Sequence, residues 1–368
     1  DQLTELPFTF KEELLTNVPG QLAANLTFPR EQYIRMHQTS GTRGRPLVVL
    51  DTAEDWEWWL ATWQFVLDAV EVEPRDRVLM AFSFGPFVGF WSAFEAVAAR
   101  GALVIPSGGL NTMARLDLIK ASRATVLFST PSYVLHLAEV AREQKIDPAK
   151  LGLRRIVVAG EPGGSVPALR ERIENLWQAQ LIDHAGATEV GPWGYSDPER
   201  LGLLVNESEF IAEFLAIDGG APAKDGELAE MFLTTLGRPG CPVIRYRTGD
   251  LVRPRYPASG RGFVLLEGGV LGRADDMFVV RGVNVFPSSV EQILLSFSDV
   301  VEYRMILHRQ GELDQLAVEV EDRLHAPRRI AEELELRLGF KVEVREVPSG
   351  SLPRFEGKGK RLDDRRGK

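Results

Sequence analysis

From Pro46 to about His184, short apolar runs alternate with stretches of helical periodicity. Repeated strand and helix units of this kind build a mostly parallel sheet. The pattern predicts strands at residues 47–50, 77–82, 102–106, 125–129, 155–159 and 181–184. Between them Trp56, Trp59, Leu60 and Trp63 recur at helical spacing, as do Val134, Leu137, Ala138 and Ala141 behind Pro131. Proline suits a first helical turn, and both stripes read as core; tryptophans so regularly spaced are expected in packing rather than around a cofactor.

Beyond His184 the texture changes to Gly, Pro and charged punctuation with short strands at 227–233 and 262–267, which predicts a more antiparallel region. A boundary is expected near Gly272. After it the pattern predicts a strand at 277–285, a helix opened by Pro287 with Val290, Ile293, Leu294 and Phe297 on one face, and strands at 300–308 and 313–321. A helix bearing Ile330, Leu334 and Leu338 and a final strand at 341–347 complete a small α+β unit. The expectation is an α/β chain of two domains. Residues 1–271 form a large one, with a mostly parallel sheet plus an antiparallel region, and residues 272–368 a small mobile one.

With 368 residues, 44% hydrophobic and 26% charged, the chain has the composition of a globular protein with a substantial core. The formal net charge of -9, from 43 Lys plus Arg against 52 Asp plus Glu, argues against nucleic acid or an anionic membrane as a partner. The least charged stretch, 78–94, contains Gly85, Pro86, Gly89 and two serines, so a strand, a turn and a buried helix start fit it better than a membrane span. The lone cysteine, Cys241, can form neither an internal disulfide nor a cysteine zinc cluster, and a cytoplasmic setting is expected. Residue 1 is Asp rather than Met, so the chain is expected to be a processed or trimmed product.

The first segment with candidate chemistry is Thr39-Ser40-Gly41-Thr42-Arg43-Gly44-Arg45-Pro46. Its glycines can fold backbone N–H groups around an anion, while three hydroxyls and two guanidinium groups add donors, so phosphate suits it. A solvated turn is the plain alternative. The Gly-Lys-Ser/Thr of a Walker loop is absent, as is any Gly-x-Gly-x-x-Gly.

TSGTRGRP resembles the phosphate-loop signature of the adenylate-forming acyl-CoA synthetase superfamily, and four later segments agree with it in order: AGEPGG at Ala159, AGATEVGP at Ala185, YRTGDL at Tyr246 and LGRADDMFVVRGVNVFPSSVE at Leu271. The closing LPRFEGKGKR resembles the terminal Gly-Lys segment. DDMFVVRGVNVFP, with PFTFKEEL near the start and STPSYVLHLAE in the middle, is most similar to the phenylacetate-CoA ligase branch.

The resemblance implies a two-domain ligase that uses ATP, Mg2+ and CoA. Glu189, behind Thr188 at the end of a strand, suits Mg2+, which takes oxygen ligands, though alone it would read as a surface glutamate. Asp250 can accept hydrogen bonds from two ribose hydroxyls, or simply cap its own turn. The resemblance further implies an AMP site from Gly160, Glu161, Pro162, His184, Ala185, Gly186 and Arg273, a hinge at Asp275, and a pantetheine channel from Arg281, Gly282, Val283 and Asn284. Lys358 is implied as a catalytic lysine of the adenylation step. A disordered tail is its alternative, since seven basic and three acidic residues run from Arg354 to the end. Two positions depart from the family pattern. Ala185 stands where an adenine-stacking aromatic is usual, with His184 beside it as a substitute or a core histidine, and Arg45 replaces a lysine.

Aromatic residues crowd the predicted sheet edge after residue 82. Phe84, Gly85, Phe87 and Trp91, with Gly108, Gly109 and Tyr133 from neighbouring strand ends, are expected to form the acid pocket and to favour an aryl or arylacetic acid. Transfer to a carrier protein, a reaction that stops at the adenylate, and a lapsed nucleotide-binding regulator are the competing readings. Relatives in this family carry residues before the PFTFKEEL equivalent, where pocket or homodimer contacts would lie.

Overall fold

The computed structural model of the chain describes residues 2–18, 20–39, 46–161, 163–217, 220–258, 262–280, 283–310, 313–353 and 361–366. β1 (Tyr33–Gln38) and β2 (Val48–Thr52) pair as an antiparallel ribbon, with His37 opposite Val49 and Met36 opposite Leu50. The strand expected at 47–50 therefore exists but stands apart from the parallel sheet. Its partner was hidden because β1 carries Arg35, His37 and Gln38 and lacks an apolar run.

Thr52 ends β2 and caps the helix that follows, α1 (Ala53–Val70): its hydroxyl accepts from Asp55 N, while the Asp55 carboxylate accepts from Thr52 N. Two orphan amides are thus satisfied at once. The chain continues through β3 (Arg77–Met80), α2 (Val88–Ala99), β4 (Leu103–Pro106), α3 (Thr112–Ser122), β5 (Val126–Ser129), α4 (Pro131–Glu143), β6 (Arg155–Val158), α5 (Pro167–Trp177) and β7 (Gln180–Ala187). Neighbours among β3 to β7 pair in parallel. Alternate residues of these strands bury on opposite faces, as the two-residue repeat requires. Val78, Met80, Val126 and Phe128 meet the α1 and α2 side, with Trp56, Trp59 and Trp63, whereas Leu79 and Leu127 meet Leu137, Leu169 and Trp177.

β8 (Gly191–Ser196) pairs antiparallel with β7 and β9 (Gly202–Val205) antiparallel with β8, extending the sheet, and β10 (Phe210–Ala216), β11 (Ala229–Thr235) and β12 (Tyr246–Val252) turn away into a second sheet. β13 (Pro254–Arg255) and β14 (Leu265–Glu267) return to close a nine-stranded sheet ordered β13-β14-β9-β8-β7-β6-β5-β3-β4. β15 (Gly272–Arg273) pairs with β12 through Asp250 opposite Arg273. The N-terminal segment lies along the start of β12: Thr9 N donates to Arg245 O, and Arg247 N donates to Thr9 O.

In the C-terminal unit, β16 (Phe278–Val280) and β17 (Val283–Val285) form a hairpin where one strand was expected at 277–285. Phe278, Val280 and Val285 all turn into one core, so two short strands look in sequence like one apolar run. α6 (Pro287–Leu295), β18 (Val300–Gln310), β19 (Leu313–Asp322), α7 (Pro327–Leu338) and β20 (Glu343–Glu346) follow as the periodicity predicts. β20 is not the last strand. β21 (Leu362–Asp364) pairs in parallel with β18, and its single apolar residue, Leu362, is too little for a pattern to reveal. Among the described residues no helix is long and apolar enough to cross a membrane.

Candidate active site

A large cleft opens at the C-terminal ends of β3, β5, β6 and β7 and is bounded on its other side by residues of β12, β15 and the C-terminal unit. Open parallel sheets place ligands at this edge. Thr188 and Glu189 sit in the turn between β7 and β8, and both line the cleft. Glu189 is buried, with Lys11 Nζ 2.7 Å from its Oε1. The Tyr246 phenol also bonds the Glu189 carboxylate; burial, then the Glu189 charge and that hydrogen bond, push the phenol far above the usual tyrosine range.

Across the cleft Arg273 Nη1 donates to Asp250 Oδ1 at 2.8 Å. Gly249, just before Asp250, has φ +75°, which favours glycine, and a Cβ there would lie 2.9 Å from Arg273 Nη2, so the guanidinium would have to shift. Asp275 Oδ1 lies 3.5 Å from Arg247 Nη1. Gly160 lines the cleft, and Glu161 accepts from Ser132 N at 3.2 Å and Ser132 Oγ at 2.9 Å, which ties the Gly160-Glu161 wall to the start of α4.

Ala185 faces Gly194 across β7 and β8, so small groups stand where the family has a ring, and Gly186 follows it on the cleft. His184 is buried: Nδ1 lies 2.7 Å from Gly194 O, and the ring packs 4.3 Å from that of Trp63. Burial pulls its pKa down to about 4, so it is a neutral, anchored ring. Asp183 beside it is pushed up to about 6 by burial, which the hydrogen bond from Ser165 and two backbone amides only partly offset. Thr39 closes the neck of the phosphate-loop segment, its N donating to Leu47 O at 2.9 Å and its Oγ1 accepting from Leu47 N at 3.0 Å. Ser40, Gly41, Thr42, Arg43, Gly44, Arg45, Pro162, Arg281, Gly282, Lys358 and the Asn284 side chain lie outside the described residues. Val283 begins β17 and is exposed.

Among the described residues no cluster of three or more His, Cys, Asp or Glu side chains could hold a metal. The buried Glu189 carboxylate on the cleft fits Mg2+, which keeps waters and takes substrate phosphates rather than an all-protein cage.

Residues 10–208 match the AMP-binding enzyme family, and residues 282–366 match the AMP-binding enzyme C-terminal domain. The chain belongs to the AMP-binding enzyme family. Among curated members it is 34% identical to the phenylacetate-coenzyme A ligase of Escherichia coli, over 99% of this chain and 85% of that one, and 33% identical to that of Thermus thermophilus, over 97% and 85%. Among solved structures, 2-hydroxyisobutyryl-CoA ligase in its postadenylation state with 2-HIB-AMP gives a TM-score of 0.91 at 26% identity, over 98% of this chain and 80% of that one. The same ligase in its thioesterification state gives 0.70 over the same shares. The present chain superposes better on the former than on the latter.

In this AMP-binding enzyme the aromatic end of the cleft differs in membership from the sequence expectation. Phe87 lines it, joined by Trp63, Phe82, Phe90 and Phe128. Phe84, Gly85, Trp91, Gly108, Gly109 and Tyr133 do not. Trp91 Nε1 is spent on Gly85 O, the Phe84 ring covers Gly108, Gly109 faces open space, and Tyr133 is buried against Thr112 and Arg115. The reason is geometric: residues after a strand end do not point one way, and α2, starting at Val88, turns Phe90 toward the cleft and Trp91 outward. Three site residues had no sequence signal. Lys11 lies in an exposed-looking Lys-Glu-Glu stretch, Asp183 in the middle of a strand, and Arg238 in a Gly-Arg-Pro-Gly turn that reads as surface loop.

Proposed function

We propose that this ligase converts an aryl or arylacetic carboxylic acid to its CoA thioester through an acyl-adenylate. The observation that carries the reading is one cleft holding Glu189, Asp250 and Arg273 beside an aromatic end formed by Trp63, Phe82, Phe87, Phe90 and Phe128. A substrate carboxylate oxygen attacks the α-phosphorus of ATP, and pyrophosphate leaves. A thiol then attacks the acyl carbon, loses its proton, and AMP leaves. When bound, Mg2+ would neutralise phosphate charge, and Glu189 with Thr188 would hold it.

Asp250, fixed by Arg273, would accept the ribose hydroxyls, and the Gly160-Glu161 wall would flank adenine. In the first step Lys358 would supply a cation to the attacking carboxylate and α-phosphate. The segment 39–45 would cradle the phosphates. Closing such a cleft protects an adenylate that water would hydrolyse. Asp275 serves as the hinge of a boundary near Gly272, and Arg281, Gly282, Val283 and Asn284 would line the thiol channel after the turn. We take free CoA, not a carrier protein, as the acceptor and the cytoplasm as the location.

Ring contacts contribute about 0.5 to 1.5 kcal/mol each beyond burial, so two of them are worth roughly tenfold in kcat/KM. A pyrophosphate-release screen with and without CoA should place arylacetic or aryl acids at least about tenfold above acetate. A hydroxyalkanoic or long fatty acid that outperformed every aromatic acid would overturn the acid assignment, and no release with any acid would overturn the enzyme.

A further inference from the structure

The Thr188-Glu189 turn rests on a guanidinium that is sealed from solvent. Arg238 Nη1 donates to Thr188 O at 3.2 Å and to Glu189 O at 2.9 Å, and Nε donates to Asp51 Oδ1 at 2.7 Å. Both partners of the Arg238–Asp51 pair have side chains at 0% exposure. Trp59 Nε1 adds a bond to Asp51 Oδ1 at 3.1 Å, and its ring lies 5.4 Å beneath the guanidinium. The loop carrying Arg238 is pinned from the other side, where Gly240 N donates to Asp55 Oδ1 at 3.0 Å. Asp51 lies on β2, the strand that leaves the phosphate-loop segment, and Asp55 in the first turn of α1.

A buried ion pair seldom improves stability over apolar residues of the same size, because desolvation offsets the attraction. This one spans two pieces of the cleft wall: the planar fork reaches a carboxylate on β2 and two consecutive carbonyls of the turn, which a lysine's point charge cannot do together. Its charge is matched by Asp51, so its effect on the cleft is one of geometry.

We infer that Arg238, through its pair with Asp51, is a positioning residue for adenylation, holding the Thr188-Glu189 backbone so that the Glu189 carboxylate is aimed at the metal–triphosphate. The inference rests on the reading of Glu189 as the Mg2+ ligand. It differs from a fold-stabilising role in sparing whatever does not use β- and γ-phosphates.

The test is a pair of half-reactions on the full chain. Arg238→Met with Asp51→Leu removes both charges of the pair together; Arg238→Lys keeps the charge and loses the fork. Each variant should raise the Mg-ATP concentration needed for half-maximal pyrophosphate release about tenfold or more. AMP affinity, and CoA thioester formation from supplied acyl-AMP, should stay within about threefold of wild type. Equal losses in both half-reactions, or none in either for Arg238→Lys, would overturn the inference. Glu189→Gln, run alongside, keeps the two ideas separate. If it leaves the Mg-ATP requirement unchanged, the reading of Glu189 fails and takes the inference with it. If it raises that requirement while the Arg238 variants do not, the inference alone falls.

Discussion

Asp183 and His184 are consecutive on β7, both buried, and displaced in opposite senses: the carboxyl is raised to about 6 from 3.8 and the imidazole lowered to about 4 from 6.5, each by burial. Between those values the folded state holds the Asp183 proton more tightly than the unfolded chain, so that contribution to stability is lost as pH rises from about 4 to 6. The folded state refuses the His184 proton, so the histidine's contribution is lost as pH falls from 6.5 towards 4. Each displacement of about two units corresponds to about 3 kcal/mol, and the two largely cancel over the same window. Asp183→Asn removes one side of the balance. Its stability relative to wild type should improve by on the order of 2 kcal/mol between pH 4.5 and pH 7.5 in urea titrations, whereas a constant difference would show that Asp183 does not titrate there. Neither shift is legible in the sequence, where His184 reads only as a substitute for the stacking ring or as a core histidine and Asp183 carries no signal. Glu189 and Asp250 drew attention in the sequence through short motifs, and the structure places Glu189 in the turn after β7 and Asp250 within β12, where the sequence had offered a turn. Arg238 drew none, because its meaning comes from residues nearly two hundred positions earlier.

At the scale of elements, periodicity carried what was repeated and missed what was short. α1, α4, α6 and α7 lie where their stripes put them, because a helix face integrates many residues, and β3, β5 and β6 are buried on both faces and so read as unbroken apolar runs. β1, β15 and β21 were missed for the opposite reason: two to six residues, mostly polar, owe their pairing to a partner already in place. β15 matters most for the proposed nucleotide site, since its Arg273 is registered opposite Asp250 by the antiparallel ladder. Gly249 tests that arrangement. Any Cβ at φ +75° strains the backbone in the free and bound states alike, but it also presses on the Arg273 guanidinium, and loosening its hold on Asp250 would cost binding about 1 to 2 kcal/mol. Gly249→Ala should therefore weaken AMP binding about fivefold to thirtyfold in calorimetry, with the fold intact by circular dichroism. Unchanged AMP affinity would mean that the Arg273–Asp250 pair does not form the nucleotide site.

For the whole molecule the two states of 2-hydroxyisobutyryl-CoA ligase give the useful contrast, since the present chain matches one at a TM-score of 0.91 and the other at 0.70. Its C-terminal unit is seated by specific contacts. Arg172 Nη2 reaches Val300 O at 3.3 Å, and Arg323 lies 3.5 Å from Glu139. Within that unit Glu302 and Glu321 face each other across β18 and β19. Glu321 accepts from the amides of Gly350 and Leu352, and Glu302 accepts from Arg361, so buried carboxylates hold the chain on both sides of Lys358. In the proposed cycle a unit so held would release its seat to present another surface to the adenylate, and the backbone change would fall to the few residues around Asp275. Lys358→Ala should then depress acyl-AMP formation by at least about a hundredfold, the usual span for a transition-state charge contact, while thioester formation from supplied acyl-AMP stays near wild type. Asp275→Pro should fall mainly on the second step, because a φ fixed near −65° obstructs the turn, while the lost Asp275–Arg247 contact costs the seated arrangement little at a separation of 3.5 Å. Single-turnover rates of the two half-reactions read both variants. Parallel losses in the two steps for either variant would be incompatible with a cycle that alternates between two seated orientations.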